Sequence, residues 1–137
     1  MDVAATTGTT SEVHYVRIWS DAEGQSHLED IRLPARTVPA EMGVPSLLVS
    51  ESLAARGLEF VTVVGGTLEP DWHTAPRRQL VVFLTGRATV EVSDGARRTL
   101  PIGGAVLVED TWGRGHVTRH PPGDQRVLVV PLAAVDS

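Results

Sequence analysis

The chain contains no cysteine, which excludes disulfides, thiolate metal sites and a cysteine nucleophile. It contains no lysine either. All 12 basic residues are arginines, so Schiff-base chemistry and covalently held pyridoxal phosphate, which need an amine, are excluded. Aromatic residues are scarce, at 4 %, so the position of each tryptophan carries information. No apolar run approaches the length of a membrane span. There is no basic stripe, and a formal net charge of −5 does not attract a phosphate backbone, so nucleic acid is not an expected partner. The opening MDVAATTGTTSE has neither a basic nor an apolar region of the secretory kind. A cytoplasmic protein without membrane association is therefore expected.

What is present is a globular composition. With 137 residues and 42 % apolar content the chain can bury a core of its own, as one domain overall. Residues 1–11 are small and polar and are expected to be disordered. Residues 12–57 read as an N-terminal strand arm and connection, and 58–137 as the core. In the arm, Val13, Tyr15, Arg17 and Trp19 alternate with His14, Val16 and Ile18, as in a strand. Asp21–Gly24 is a turn that leads into a second strand over 28–33, and the proline-rich 34–45 reads as an extended connection. Residues 52–57 are the one candidate for a helical turn. Beyond them, valine-rich runs at 58–64, 79–85, 88–93, 105–109, 116–119 and 126–130 read as short strands. The turns between them include Asp94-Gly95, a strong hairpin signal. Strands at this spacing predict an all-β sandwich or barrel.

Chemistry concentrates in two stretches, GTLEPDWHTAPRRQLVVFLTG from Gly66 to Gly86 and GGAVLVEDTWGRGH ending at His116. Within them His73, Gln79 and His116 stand out. Here the chain resembles the cupin superfamily. The first cupin motif runs from a Gly through His-x-His to a Glu and, after six more residues, a Gly. His73 fits its first His, Ala75 stands where the second would be, Gln79 takes the Glu position and Gly86 closes the motif. In the second motif, Pro-x-Gly-x-x-His, Gly113 and His116 match and Thr111 replaces the Pro. The resemblance implies a double-stranded β-helix, a jelly-roll-like barrel with an N-terminal strand arm, whose interior gathers His73, Gln79 and His116. It also implies a homodimer, paired through the arm.

A metal-binding cupin uses three His and a Glu. Here Ala75 offers no donor and Gln79 is a neutral, weaker one, so no cofactor is the first expectation. A divalent transition metal on His73, Gln79 and His116 is the alternative, and would make the protein a dioxygenase or a metal-assisted cyclase. Without metal, two imidazoles facing one cavity suit proton transfer near neutrality. The expected catalytic residues are then His73, His116 and Glu109. The last ends a strand whose Ala105, Leu107 and Glu109 share a face.

Expected substrate-binding residues are Gln79, Trp72, Trp112, Arg78 and Asp71. The amide of Gln79 can both donate and accept, the indoles flank the two motifs, and an arginine can clamp an oxyanion. In a regular strand Arg78 points away from Gln79. Glu51 and Asp110 are looser candidates, read first as solvated loop charges, and His120 is read as a strand-end cap. The expected activity is isomerisation, cyclisation or elimination of a small organic metabolite in a specialised biosynthetic pathway. A non-catalytic small-ligand-binding protein is the rival from another class.

Overall fold

A computed structural model describes residues 12–66 and 70–133. They form ten strands and, among the described residues, no helix. The strands are β1 (Glu12–Ser20), β2 (Ser26–Val38), β3 (Leu47–Ser50), β4 (Glu59–Val63), β5 (Gln79–Phe83), β6 (Ala88–Val92), β7 (Arg97–Leu100), β8 (Ala105–Val108), β9 (His116–Arg119) and β10 (Gln125–Pro131). Among the described residues no helix is long and apolar enough to cross a membrane. The chain divides into a smaller unit, Met1–His14 with Ile31–Leu53, and a larger one, Tyr15–Asp30 with Ala54–Ser137.

In the larger unit, one mixed sheet runs in the order β1-β8-β5-β10-β4. Strand β1 lies parallel to β8, with Val16 opposite Val106 and Ile18 opposite Val108. The remaining pairs are antiparallel and place Gln79 opposite Val108, Val127 opposite Phe83 and Val127 opposite Val61. A second, antiparallel sheet runs β7-β6-β9 and sets Val90 opposite Thr118 and Val92 opposite His116. Both sheets feed one core, which includes Val16, Ile18, Phe83, Val90, Val106 and Val127. Period-2 alternation explains it. In β6, Ala88, Val90 and Val92 are buried while Thr89 and Glu91 are less so. Each fully buried valine stabilises the fold by about 1.5–3 kcal/mol relative to an exposed one.

Two turns of this unit are tied together by one side chain. His27 Nε2 lies 2.7 Å from Asp21 Oδ2, in the β1–β2 turn, and its Nδ1 lies 2.8 Å from Asp94 Oδ2, in the β6–β7 turn. The Asp94-Gly95 hairpin forms as expected, with Gly95 at φ 95° and its N–H donating to Val92.

In the smaller unit β2 and β3 pair antiparallel from Ala35–Ser50 to Val38–Leu47. Pro34 belongs to β2 and sits just before the stretch that pairs with β3. Strand structure therefore reaches Val38, into the stretch expected to be a connection. The Glu41–Val44 turn exchanges two backbone bonds of 2.8 Å around Met42 and Gly43, both at positive φ (50° and 84°). That is the primed geometry that fits a two-residue hairpin, though methionine is an unfavourable residue for it.

Residues 52–57 form no helical turn. Ala55 bridges to Leu132, the Arg56 N–H donates to Pro131, and the Ala133 N–H donates to Ala54. Pairing with the end of β10 satisfies backbone groups that a single isolated turn would leave open.

Candidate functional site

Alternation along four strands of the larger unit aims apolar side chains into one cavity of about 450 Å³, a size suited to a small organic ligand. Val63 of β4, Val81 and Phe83 of β5, Val106 and Val108 of β8, and Val127 of β10 line it. The polar lining comes from Asp71 and His73 in the loop before β5, from Gln79 at the start of β5, and from β9. That strand contributes His116, Thr118 and, one step past its end, His120.

The two motif histidines meet backbone to backbone. The His73 N–H donates to the His116 carbonyl at 3.0 Å, and the His116 N–H donates to the His73 carbonyl at 2.9 Å. Gly115 permits this approach, because a Cβ there would fall on the His73 carbonyl. The two rings lie 4.8 Å apart between centroids, inclined at 55°. His73 is exposed at the mouth, while His116 is buried at 5 % exposure.

Their partners fix their tautomers. His73 Nδ1 lies 2.9 Å from the Asp71 carbonyl oxygen. A carbonyl can only accept, so Nδ1 carries a proton, and in the neutral ring Nε2 is the acceptor. His116 Nδ1 lies 2.6 Å from Oδ2 of Asp110, a fully buried carboxylate. An ionised Asp110 can only accept, so Nδ1 of that ring carries a proton too, and in the neutral imidazole Nε2 is the acceptor. The other oxygen of Asp110, Oδ1, has no hydrogen-bond partner among the described residues.

Gln79 lines the cavity, and its Oε1 accepts from Arg77 Nε at 2.8 Å, so the amide nitrogen is the end left for a ligand. As a metal set, His73, Gln79 and His116 thus bring two imidazoles and an amide oxygen already engaged by an arginine. Ala75, at 3 % exposure, brings no donor. Among the described residues no group of three or more His, Asp or Glu is disposed to hold a metal ion. This donor set does not fit a resident transition metal.

Several expected site residues lie elsewhere. Glu109 does not face the cavity. The inward face of β8 carries Val106 and Val108, so the parity that includes Glu109 points outward. On that outer face its two oxygens accept from Arg17 and Arg78. Arg78 is consequently held by Glu109 and by the Ala133 carbonyl at 3.2 Å, away from the ligand space. Trp72 lines a separate shallow depression with Glu91, Ser93 and Arg114. Trp112 is 52 % exposed, packs near Gly24, and its carbonyl accepts from Ser20. Neither indole lines the cavity, because the turns that carry them swing outward while the adjoining histidines point in. Asp71 does line it, but acts on His73 through its main chain.

Two residues, Asp110 and His120, have a larger place in the site than the sequence predicts. Asp110 is no solvated loop charge. It continues the inward series of Val106 and Val108 by one more step of two, the signal that could have found it. His120 shares the parity of His116 and Thr118 and faces the cavity rather than capping the strand. Its ring meets Phe83 edge-on, with centroids 6.2 Å apart. Burial disfavours its charged form and lowers its pKa.

No protein-family model matches the chain, and no curated protein matches it. Among solved structures, protein NMB1881 from Neisseria meningitidis is a distant likeness, with a TM-score of 0.41 and 17 % identity. The alignment covers 72 % of this chain and 82 % of that one.

Proposed function

We propose that the protein is a cupin-type enzyme acting on a small organic molecule by proton transfer, with His116 as the general base and Asp110 as its positioning residue. The observation that carries this reading is the His116–Asp110 hydrogen bond, sealed from water on the carboxylate side, at the wall of an apolar cavity. The cupin assignment is supported by the spacing of the two motifs and by the mutual backbone bridge of the histidines they contribute.

In the proposed mechanism the bare Nε2 of His116 takes a proton from a carbon or hydroxyl of the substrate. The positive charge this creates is compensated by Asp110, as in other carboxylate-oriented histidines. The Gln79 amide N–H donates to the oxygen on which negative charge develops. The proton then returns to a second atom of the same molecule, which isomerises or cyclises it without any outside reactant. His73, at the mouth, accepts from a substrate hydroxyl and aligns it.

Exchange in deuterium oxide tests this without knowledge of the final product. Carbonyl metabolites with acidic C–H bonds are incubated with the protein and followed by proton NMR. The expected result is deuterium incorporation by wild type in at least one compound, and none by His116→Gln. Compounds that bind, seen as shifts of the His73 and His116 ring protons, yet never exchange would overturn the reading.

A further inference from the structure

The cavity has a second polar end that the proton-transfer machinery does not use. His120 lies four residues beyond His116, with Thr118 between them on the same inward face. At strand rise, this separates the two histidine backbones by roughly 13 Å. The lining also includes the apolar side chains of Val81, Phe83 and Val127.

The protonation pattern differs between the ends. His73 and His116 spend their Nδ1 protons on Asp71 and Asp110 and offer acceptors. His120 has its Nδ1 buried with no partner among the described residues. A sealed N–H would be left without an acceptor there, so the ring's single proton belongs on Nε2. Desolvation keeps the ring uncharged. The two histidines of the near end therefore accept, and the histidine of the far end donates.

We infer that His120 is a substrate-binding residue that donates from Nε2 to a carbonyl-type acceptor at the far end of the ligand. The substrate class is then an elongated, largely apolar molecule, with a protic group at the His116 end and a carbonyl at the other. This rests on the reading of His116 as the reacting end.

The probes are p-hydroxybiphenyl and its p′-acetyl derivative, which adds the distal carbonyl, with binding followed by NMR titration. Wild type should prefer the acetyl compound by about tenfold, the value of one well-placed hydrogen bond. His120→Phe should lose the preference without a lower melting temperature, since it removes an unpaired buried nitrogen. His120→Gln, whose amide N–H reaches the same place, should retain it. Long-range proton–nitrogen spectra of wild type should show His120 neutral, with its proton on Nε2, and these decide the matter if the phenylalanine variant does not fold. Equal affinity of wild type for the two probes, absence of binding included, would overturn the inference. So would a preference that survives His120→Phe, or a proton on Nδ1. Failure of the proton-transfer reading would look different: no deuterium incorporation with the probe preference intact.

Discussion

The imidazole of His116 and the carboxylate of Asp110 are joined by a 2.6 Å hydrogen bond, with Asp110 fully buried and His116 at 5 % exposure. They stand six positions apart in sequence, and the outward turn of Thr111–Gly115 lies between. A burial of this kind is costly for a carboxylate unless a partner compensates it, and the partner here is the ring that lines the cavity.

Replacing Asp110 by Asn should therefore act through the ring. The amide can present N–H where the carboxylate accepted, which favours the wrong His116 tautomer. Turnover should fall roughly 10²–10⁴-fold, with substrate affinity little changed. Asp110→Ala should in addition lower stability by about 1–3 kcal/mol, because the buried His116 N–H is left unpaired. Nitrogen NMR of the His116 ring in the asparagine variant, read beside steady-state kinetics, checks both. An unchanged tautomer with unchanged turnover would remove Asp110 from the mechanism.

His116→Ala should slow turnover by roughly 10²–10⁴-fold while KM moves far less, since a proton-transfer group acts mainly in the transition state. His73→Ala should raise KM more than it lowers kcat, because an aligning acceptor acts on bound substrate too. Melting temperatures measured alongside separate catalysis from structure. Variants that melt earlier yet turn over normally per folded molecule would mean that the histidines serve only the fold.

Glu109→Gln should leave kcat and KM unchanged within about twofold, because the carboxylate faces away from the ligand. Its role is in stability. Partial burial pushes Glu109 upward, but the hydrogen bonds and charges of Arg17 and Arg78 outweigh this and hold its pKa below the usual glutamate value. A depressed carboxyl contributes stability that is present above its unfolded pKa of about 4.3 and fades as pH falls through the folded value. The melting temperature of Glu109→Gln should thus lie below wild type at neutral pH, and the gap should close under acid. A gap independent of pH would contradict the ion-pair account.

His27 has the opposite sign. Hydrogen bonds to Asp21 first and to Asp94 second raise its pKa, and the bond from His27 lowers that of Asp21. A raised histidine contributes stability that is complete below its unfolded pKa of about 6.5 and is lost as pH rises through the folded value. His27→Gln should therefore cost melting temperature at about pH 5, and less at about pH 9. Thermal scans of both proteins across that range check this, and a gap that widened toward alkaline pH would refute it.

The sequence alone determined the all-β character, because alternation at Val16 and Ile18, at Ala88, Val90 and Val92, and along His116 and Thr118 is a local property of the pleat. It also determined which side chains are available for chemistry. With neither cysteine nor lysine, histidine and carboxylate were left, and motif spacing singled out His73, Gln79 and His116. Tertiary structure decided the rest. Alternation gives two faces but does not say which one a second sheet covers, so Glu109 and Asp110, adjacent in sequence, exchanged their expected environments. The extended course of 52–57 depends on a partner far away in the chain, the end of β10, and β3 on its register with Ala35–Val38, neither of which a local pattern names. The same holds for the tautomers at the site. The proton positions on His73, His116 and His120 follow from a carbonyl, a carboxylate and, for the sealed Nδ1 of His120, the want of an acceptor among the described residues, and these exist only once the strands have paired.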